Sequence, residues 1–182
     1  MPLDIAVLVG SHSRDSYNQQ IARYLQQHAP ANLALDILNT AHLPVYDRDM
    51  DALPEQPAGY DALRRRIARA QGVIFVTPEH NAGIPAVLKN AIDICTRPAD
   101  NLWAGKPAGI VTAASAMAGG QRVGDQLRAV CVSLGMPALP LQTPLSQIHA
   151  VFDAEGRLAG EAALQRLQDF LAAYAAFAPK FV

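Results

Sequence analysis

Gly72-Val73-Ile74-Phe75-Val76-Thr77-Pro78-Glu79-His80-Asn81-Ala82-Gly83-Ile84-Pro85-Ala86-Val87-Leu88-Lys89-Asn90-Ala91-Ile92-Asp93 runs from a strand through a stiff polar loop into a helix. It opens on an apolar run, Gly72-Val73-Ile74-Phe75, within residues 72–77 that read as a buried strand. Pro78 and Pro85 fix φ at two points and restrict the residues before them, Thr77 and Ile84. Between the prolines lie a glutamate, a histidine and an asparagine. A loop this stiff holds its backbone N–H and C=O groups in place without a ligand, and a flat heteroaromatic ring with amide-like edges would read those groups well. Glu79 also precedes a helix start, where the helix dipole favours a carboxylate.

The same alternation extends in both directions. Residues 5–9, 33–38, 72–77, 108–112 and 138–141 read as strands, the last of them the most weakly signalled. Residues 17–28, 60–70, 84–97, 120–134 and 160–176 read as helices. Residues 39–59 form a long irregular segment rich in proline and acidic side chains. Strands alternating with helices predict an α/β fold with helices on both faces of a parallel sheet. Right-handed crossovers then favour a flavodoxin-like three-layer sandwich, with a five-stranded parallel sheet in the order 2-1-3-4-5. The chain reads as one domain over residues 1–182, without repeat or linker. Ligands of such a sheet sit outside the carboxyl ends of the strands.

Composition narrows the function. Hydrophobic residues make up 51% and charged residues 17% of the 182, which describes a globular chain. A formal net charge of -1 without a basic cluster argues against a nucleic-acid partner. Arg64-Arg65-Arg66 is the one local run, and it reads as a solvated helix face. No stretch has the length and apolarity to span a bilayer, and the start of the chain does not read as a signal peptide. Cys95 and Cys131, far apart in helical segments, read as buried reduced thiols. The expectation is a cytoplasmic protein without a membrane partner. The histidines show no metal-ligand spacing, so no metal is expected.

In the 2-1-3-4-5 order, the loops after strands one, three and four lie side by side. The first is Gly10-Ser11-His12-Ser13-Arg14-Asp15-Ser16-Tyr17-Asn18. It combines hydroxyls, a guanidinium and an amide with a helix start, and Ser16 and Gln19 have capping-box spacing. That is an anion site suited to a terminal phosphate. Neither GxxxxGK[ST] nor GxGxxG is present, so the loop is neither a P-loop nor a pyrophosphate turn. Simple capping by Ser and Asn is the alternative. The third loop, Ala113 to Gly120, is made of small residues that let a ligand approach the backbone.

Taken together, these stretches resemble the NADPH-dependent FMN reductase family, a flavodoxin-like group that includes quinone, azo and chromate reductases. The resemblance rests on G-S-x-x-x-x-S-x-N at Gly10 to Asn18, T-P-E-x-N at Thr77 to Asn81, and P-x-V-L-K-N-A-I-D at Pro85 to Asp93. Gly105-Lys106-Pro107, Gly119-Gly120 and Leu43 to Asp47 also match. It implies a non-covalent FMN whose phosphate sits on Ser11, Ser16 and Asn18, with Ser13 and Arg14 in the same loop. The ring would lie along Pro78, Glu79, His80 and Asn81, and Ser115, Gly119 and Gly120 would approach its pyrimidine side. Backbone N–H groups near those glycines would stabilise the charge of the reduced ring near N1. Two positions depart from the family: Ser13 stands where an arginine is frequent, and His80 where a tyrosine is.

The activity implied is an NAD(P)H oxidoreductase, with NADPH or NADH as co-substrate and a small-molecule electron acceptor: a quinone, an azo compound, chromate or free flavin. The cycle would be ping-pong, and no catalytic side chain is expected beyond the cofactor's own chemistry. The runner-up is a flavodoxin-type electron carrier without NAD(P)H turnover. The family also implies a homodimer or homotetramer, with residues 39–59 and 85–97 as candidate surfaces. Asp93 and Arg97 have the spacing of an i,i+4 surface pair. Trp103 and Met50 are candidates for the substrate mouth, or for packing.

Overall fold

A computed structural model describes residues 1–96 and 101–182. Five parallel strands, β1 (Leu3–Val9), β2 (Leu33–Leu38), β3 (Gly72–Thr77), β4 (Ala108–Ala113) and β5 (Thr143–Leu145), form one sheet in the order β2-β1-β3-β4-β5. The connections carry α1 (Tyr17–Gln27), α2 (Tyr60–Arg69), α3 (Ala86–Ile94) and α4 (Gln121–Ser133), and α5 (Glu161–Phe177) follows the last strand. This is the anticipated flavodoxin-like sandwich.

The layering follows from alternation along central strands that are covered on both faces. Ile5, Val7 and Val9 of β1, with Ile74 and Val76 of β3, pack against Ile21 and Leu25 of α1 and Leu167, Phe170 and Tyr174 of α5. Ala6 and Leu8, with Val73 and Phe75, pack on the opposite side against α2, α3 and α4, through Tyr60, Ile67, Leu88 and Leu127 among others. All six residues of β3 and of β4 are buried.

Several expectations need correction. The fifth strand is Thr143–Leu145, not residues 138–141. Ala138 makes only an isolated bridge to Ala108, and beyond it the Arg128 guanidinium takes the carbonyls of Leu139 (2.8 Å) and Leu141 (3.2 Å). The pairing run holds Pro144, which an edge strand tolerates because its missing N–H faces away from the ladder. Helix α3 is shorter than residues 84–97, with Pro85 as its N-cap and Cys95 at its end. Asp93 meets Lys89 at 2.8 Å, and Arg97 lies outside the described residues.

The arginine run is not a solvated face. Arg64 donates to the Ile94 carbonyl (3.0 Å) and to Gln56 (2.9 Å), and Arg66 pairs with Asp36 (2.6 Å) and Asp4. Only Arg65 of the three is exposed. Trp103 is fully buried, donates its indole N–H to Ile92 (3.0 Å), and packs near Phe75 in the core. Met50 is half-buried and accepts from the Tyr60 hydroxyl (3.4 Å). Both are packing residues. Cys95 and Cys131 are buried free thiols, raised by burial to about 12 and about 11, which leaves neither as an available thiolate.

Candidate active site

The register brings three strand ends together: Val9 lies opposite Val76, Thr77 opposite Thr112, and Ala113 opposite Leu145. The loops after β1, β3 and β4 therefore start side by side. Gly10 makes the first junction. Its N–H donates to the Val76 carbonyl (2.9 Å), and a Cβ there would run into the Thr77 side chain and lie 3.3 Å from Pro78. Any side chain would force the first two loops apart.

The first loop is held mainly by its own helix. Ser16 is the N-cap of α1, and its hydroxyl accepts from the Gln19 N–H (3.2 Å). The capping box is half made, because the Gln19 amide donates to the Ser11 carbonyl (3.0 Å) instead of returning to Ser16, whose N–H goes to Ser13 (3.2 Å). The N–H groups of Tyr17 and Asn18, in the first helical turn, have no intrahelical acceptor. Asn18 is buried and donates to the Ala113 carbonyl (3.4 Å), while its own Oδ1 is buried without a partner. His12 lies 2.8 Å from the Thr40 hydroxyl, and burial, aided by His42, lowers its pKa and favours the neutral ring.

The loop after β3 is a tight two-residue turn: His80 N–H donates to Gly83 (3.1 Å) and Gly83 N–H to His80 (2.9 Å). Asn81 (φ 49°) and Ala82 (φ 61°) are both left-handed, the pattern of a type I′ turn. Asparagine tolerates this conformation, whereas for alanine it costs about 1–2 kcal/mol. The turn is fastened from α4. Gln126 accepts from the Ile84 N–H (3.2 Å) and donates to the Ala82 carbonyl (2.8 Å). Glu79 accepts from the Val123 N–H (3.3 Å) and lies 3.5 Å from the Arg122 guanidinium. Its carboxylate does sit at a helix N-terminus, but that of α4 rather than of the adjacent α3.

The loop after β4 folds back on β5. Gly119 (φ 59°) passes so close that a Cβ would lie 2.9 Å from the Ser146 nitrogen, and Gly120 (φ 85°) is the left-handed N-cap of α4. Thr112 fastens the turn by donating to the Gly119 carbonyl (2.7 Å).

These loops enclose a cavity of 520 Å³, within the range of pockets that hold a drug-sized ligand. Eight of the twelve anticipated residues reach its wall: Ser11, Ser13, Ser16 and Asn18 from the first loop, Pro78, Glu79 and His80 from the second, and Ser115 from the third. Four do not. Arg14 is exposed outside the wall, and Asn81 is exposed at the hairpin tip. Gly119 and Gly120 are buried behind the wall, where they shape the loop that carries Ser115. Asp15, Tyr17 and Ile148 also line the cavity. Tyr17 lies between two anticipated residues and packs against Phe152, with the rings tilted by 34° and their centroids 4.6 Å apart. Ile148 belongs to a 3₁₀ turn after β5 that carries no motif.

A second cavity, of 410 Å³, lies between the end of β2 and α2, walled by Leu38, Leu43, Leu63 and Arg66 among others. It holds none of the anticipated residues. Among the described residues there is no cluster of His, Cys, Asp or Glu suited to a metal, and no helix long and apolar enough to cross a membrane.

The chain can now be set beside known proteins. The model for NADPH-dependent FMN reductases matches residues 3–150. A quinone reductase of Pseudomonas putida is 38% identical over 85% of this chain and 83% of its own length. A 2-hydroxy-1,4-benzoquinone reductase of a Burkholderia species is 37% identical over 97% of both chains. Among solved structures, FerB, a flavoenzyme NAD(P)H:(acceptor) oxidoreductase of Paracoccus denitrificans, superposes with a TM-score of 0.84 at 30% identity, over 98% of both chains. The fold, the convergent loops and these matches agree: this chain belongs to the NADPH-dependent FMN reductase family, oxidoreductases that pair FMN with a reduced nicotinamide.

Proposed function

We propose that the 520 Å³ cavity is the FMN site of an NAD(P)H oxidoreductase that reduces small diffusible acceptors, with quinones as the leading class. The observation that carries this reading is the meeting of hydroxyls, first-turn N–H groups and the buried, unpartnered Asn18 Oδ1 on one wall of a cavity whose other wall is a rigid hairpin. An orphaned buried amide oxygen carries a desolvation cost that a bound donor removes. The relatives named as quinone reductases support the acceptor class.

In this reading Ser11, Ser13 and Ser16 donate to the FMN phosphate together with the N–H groups of Tyr17 and Asn18, at the positive end of α1. Arg14, exposed beside the loop, adds a solvent-screened positive charge. Pro78, Glu79 and His80 flank the ring, and Ser115 faces it from the loop after β4. When bound, FMN supplies the ability to take a hydride from a nicotinamide and deliver two electrons to an acceptor. The protein's part is to hold the ring still, keep one face open beside the exposed His80, and offer that mouth to donor and acceptor in turn. Such sharing gives ping-pong kinetics, and azo compounds, chromate and free flavin are further acceptors to test.

A homo-oligomer fits the exposed apolar residues Val45 and Val87. They lie on two segments stapled together by Asn90, which accepts from Tyr46 N–H (2.7 Å) and donates to Pro44 (2.9 Å).

The first test is a visible absorption spectrum of the purified protein, before and after anaerobic NADPH. Flavin bands that bleach are expected. Bands that persist with both NADPH and NADH would turn the reading toward an electron carrier. Failure to take up FMN would remove the proposal.

A further inference from the structure

Among the described residues, Glu79 is the one carboxylate that both lines the cavity and binds the helix behind it. Its side chain is 15% exposed, accepts from the Val123 N–H at 3.3 Å, and lies 3.5 Å from the Arg122 guanidinium, which is 72% exposed. Val123 and Arg122 belong to the first turn of α4, where the helix carries its partial positive charge. That first turn holds no acidic residue of its own, and the N-cap, Gly120, has no side chain. The positive end of α4 was expected to face the cofactor through Gly119 and Gly120. Instead those glycines are buried behind the wall, and Glu79 stands between the helix end and the cavity.

We propose that Glu79 is a positioning residue that sets the reduction potential of the bound cofactor by neutralising the α4 N-terminus and Arg122. The inference rests on the FMN reading above. Hydride transfer moves two electrons and one proton from NAD(P)H, releases NAD(P)⁺ and leaves bound FMN one unit more negative. A positive helix end stabilises that added charge, and a carboxylate placed over the helix end opposes it. Glu79 therefore holds the potential low, which keeps the reduced enzyme a strong donor to its acceptor. Asp15 also lines the cavity, but it belongs to the first loop, and the contacts with the α4 N-terminus are made by Glu79.

The test is an anaerobic redox titration of the FMN-loaded protein against a reference dye. Glu79→Gln keeps an oxygen to accept from Val123 and removes the charge. We expect it to favour the reduced state at least tenfold, a rise of about 30 mV for a two-electron couple, with FMN still bound. Arg122→Glu, at an exposed position, is expected to move the potential the other way. It supplies an independent reading if Glu79→Gln fails to fold or to bind FMN. An unchanged potential in FMN-loaded Glu79→Gln, or a fall, overturns the proposal, as does an unchanged or higher potential in Arg122→Glu where Glu79→Gln gives no protein to titrate. A wild-type chain that takes up no FMN sinks the functional reading instead, before any potential is measured.

Discussion

The loop after β1 and the loop after β3 face each other across the same cavity, yet they are held by opposite means. The first is organised mainly by its own helix: Ser16 caps Gln19 three residues on, and Gln19 reaches Ser11 eight residues back. The second is organised by a helix more than forty residues away, through the Gln126 clamp on Ala82 and Ile84 and the Glu79 bond to Val123. The first loop ends in unsatisfied donors for an anion. The second spends its polar groups on α4 and presents a fixed wall. In the proposed FMN reading, the phosphate site rests mainly on local order, whereas the wall beside the ring rests on long-range support.

The largest effect is expected where the two loops touch. Gly10→Val would push Thr77 and Pro78 away, cost about 1–3 kcal/mol as overpacking does, and abolish FMN uptake. Urea unfolding with a flavin titration checks both, and retention of both would break the picture of a shared junction.

Gln126→Ala should act on the second loop alone. It frees Ala82 to leave its left-handed conformation and removes two hydrogen bonds, at about 0.5–1.5 kcal/mol each. Weaker FMN binding is expected, while binding of inorganic phosphate to the apoprotein, read by competition with FMN, stays as in wild type. Equal losses in both would mean that the loops are not held separately.

Ser16→Ala is the converse, with about 1 kcal/mol lost from the α1 cap and phosphate binding weakened more than the ring's surroundings. Flavin absorbance maxima that stay in place while the dissociation constant rises would sharpen the contrast.

The smallest effect concerns pH. His12 is held below its ordinary pKa by burial and by His42. Its neutral form is thus favoured in the folded state, and stability should fall as the pH drops below the free-histidine value of about 6.5. His12→Asn should flatten that part of the profile, as read by thermal melts between pH 7 and 5.

How much was legible depended on the reach of each contact. The first loop's residues announced themselves because capping runs over three or four residues, and periodicity found β1, β3 and β4 because strands buried on both faces are unbroken apolar runs. The fifth strand was misread because edge pairing is decided by what lies beside β4, and Ala138 to Leu141 is as apolar as the true partner. Glu79 was read as a partner for the nearest helix, since nothing local reveals that α4 approaches it. Gly119 and Gly120 were singled out for a ligand's approach, but the structure gives them other needs: Gly119 passes close over Leu145 and Ser146, and Gly120 packs against Thr112 and Val123.

The sequence by itself determined the alternation of strand and helix, the parallel order and the identity of the three loops. All of these follow from hydrophobic period, turn chemistry and crossover handedness, which act along the chain. Only the tertiary structure decided which groups reach the cavity wall, which carboxylate covers which helix end, and which arginines are exposed. Those outcomes depend on contacts between residues thirty to a hundred positions apart, and no local pattern encodes where such partners meet.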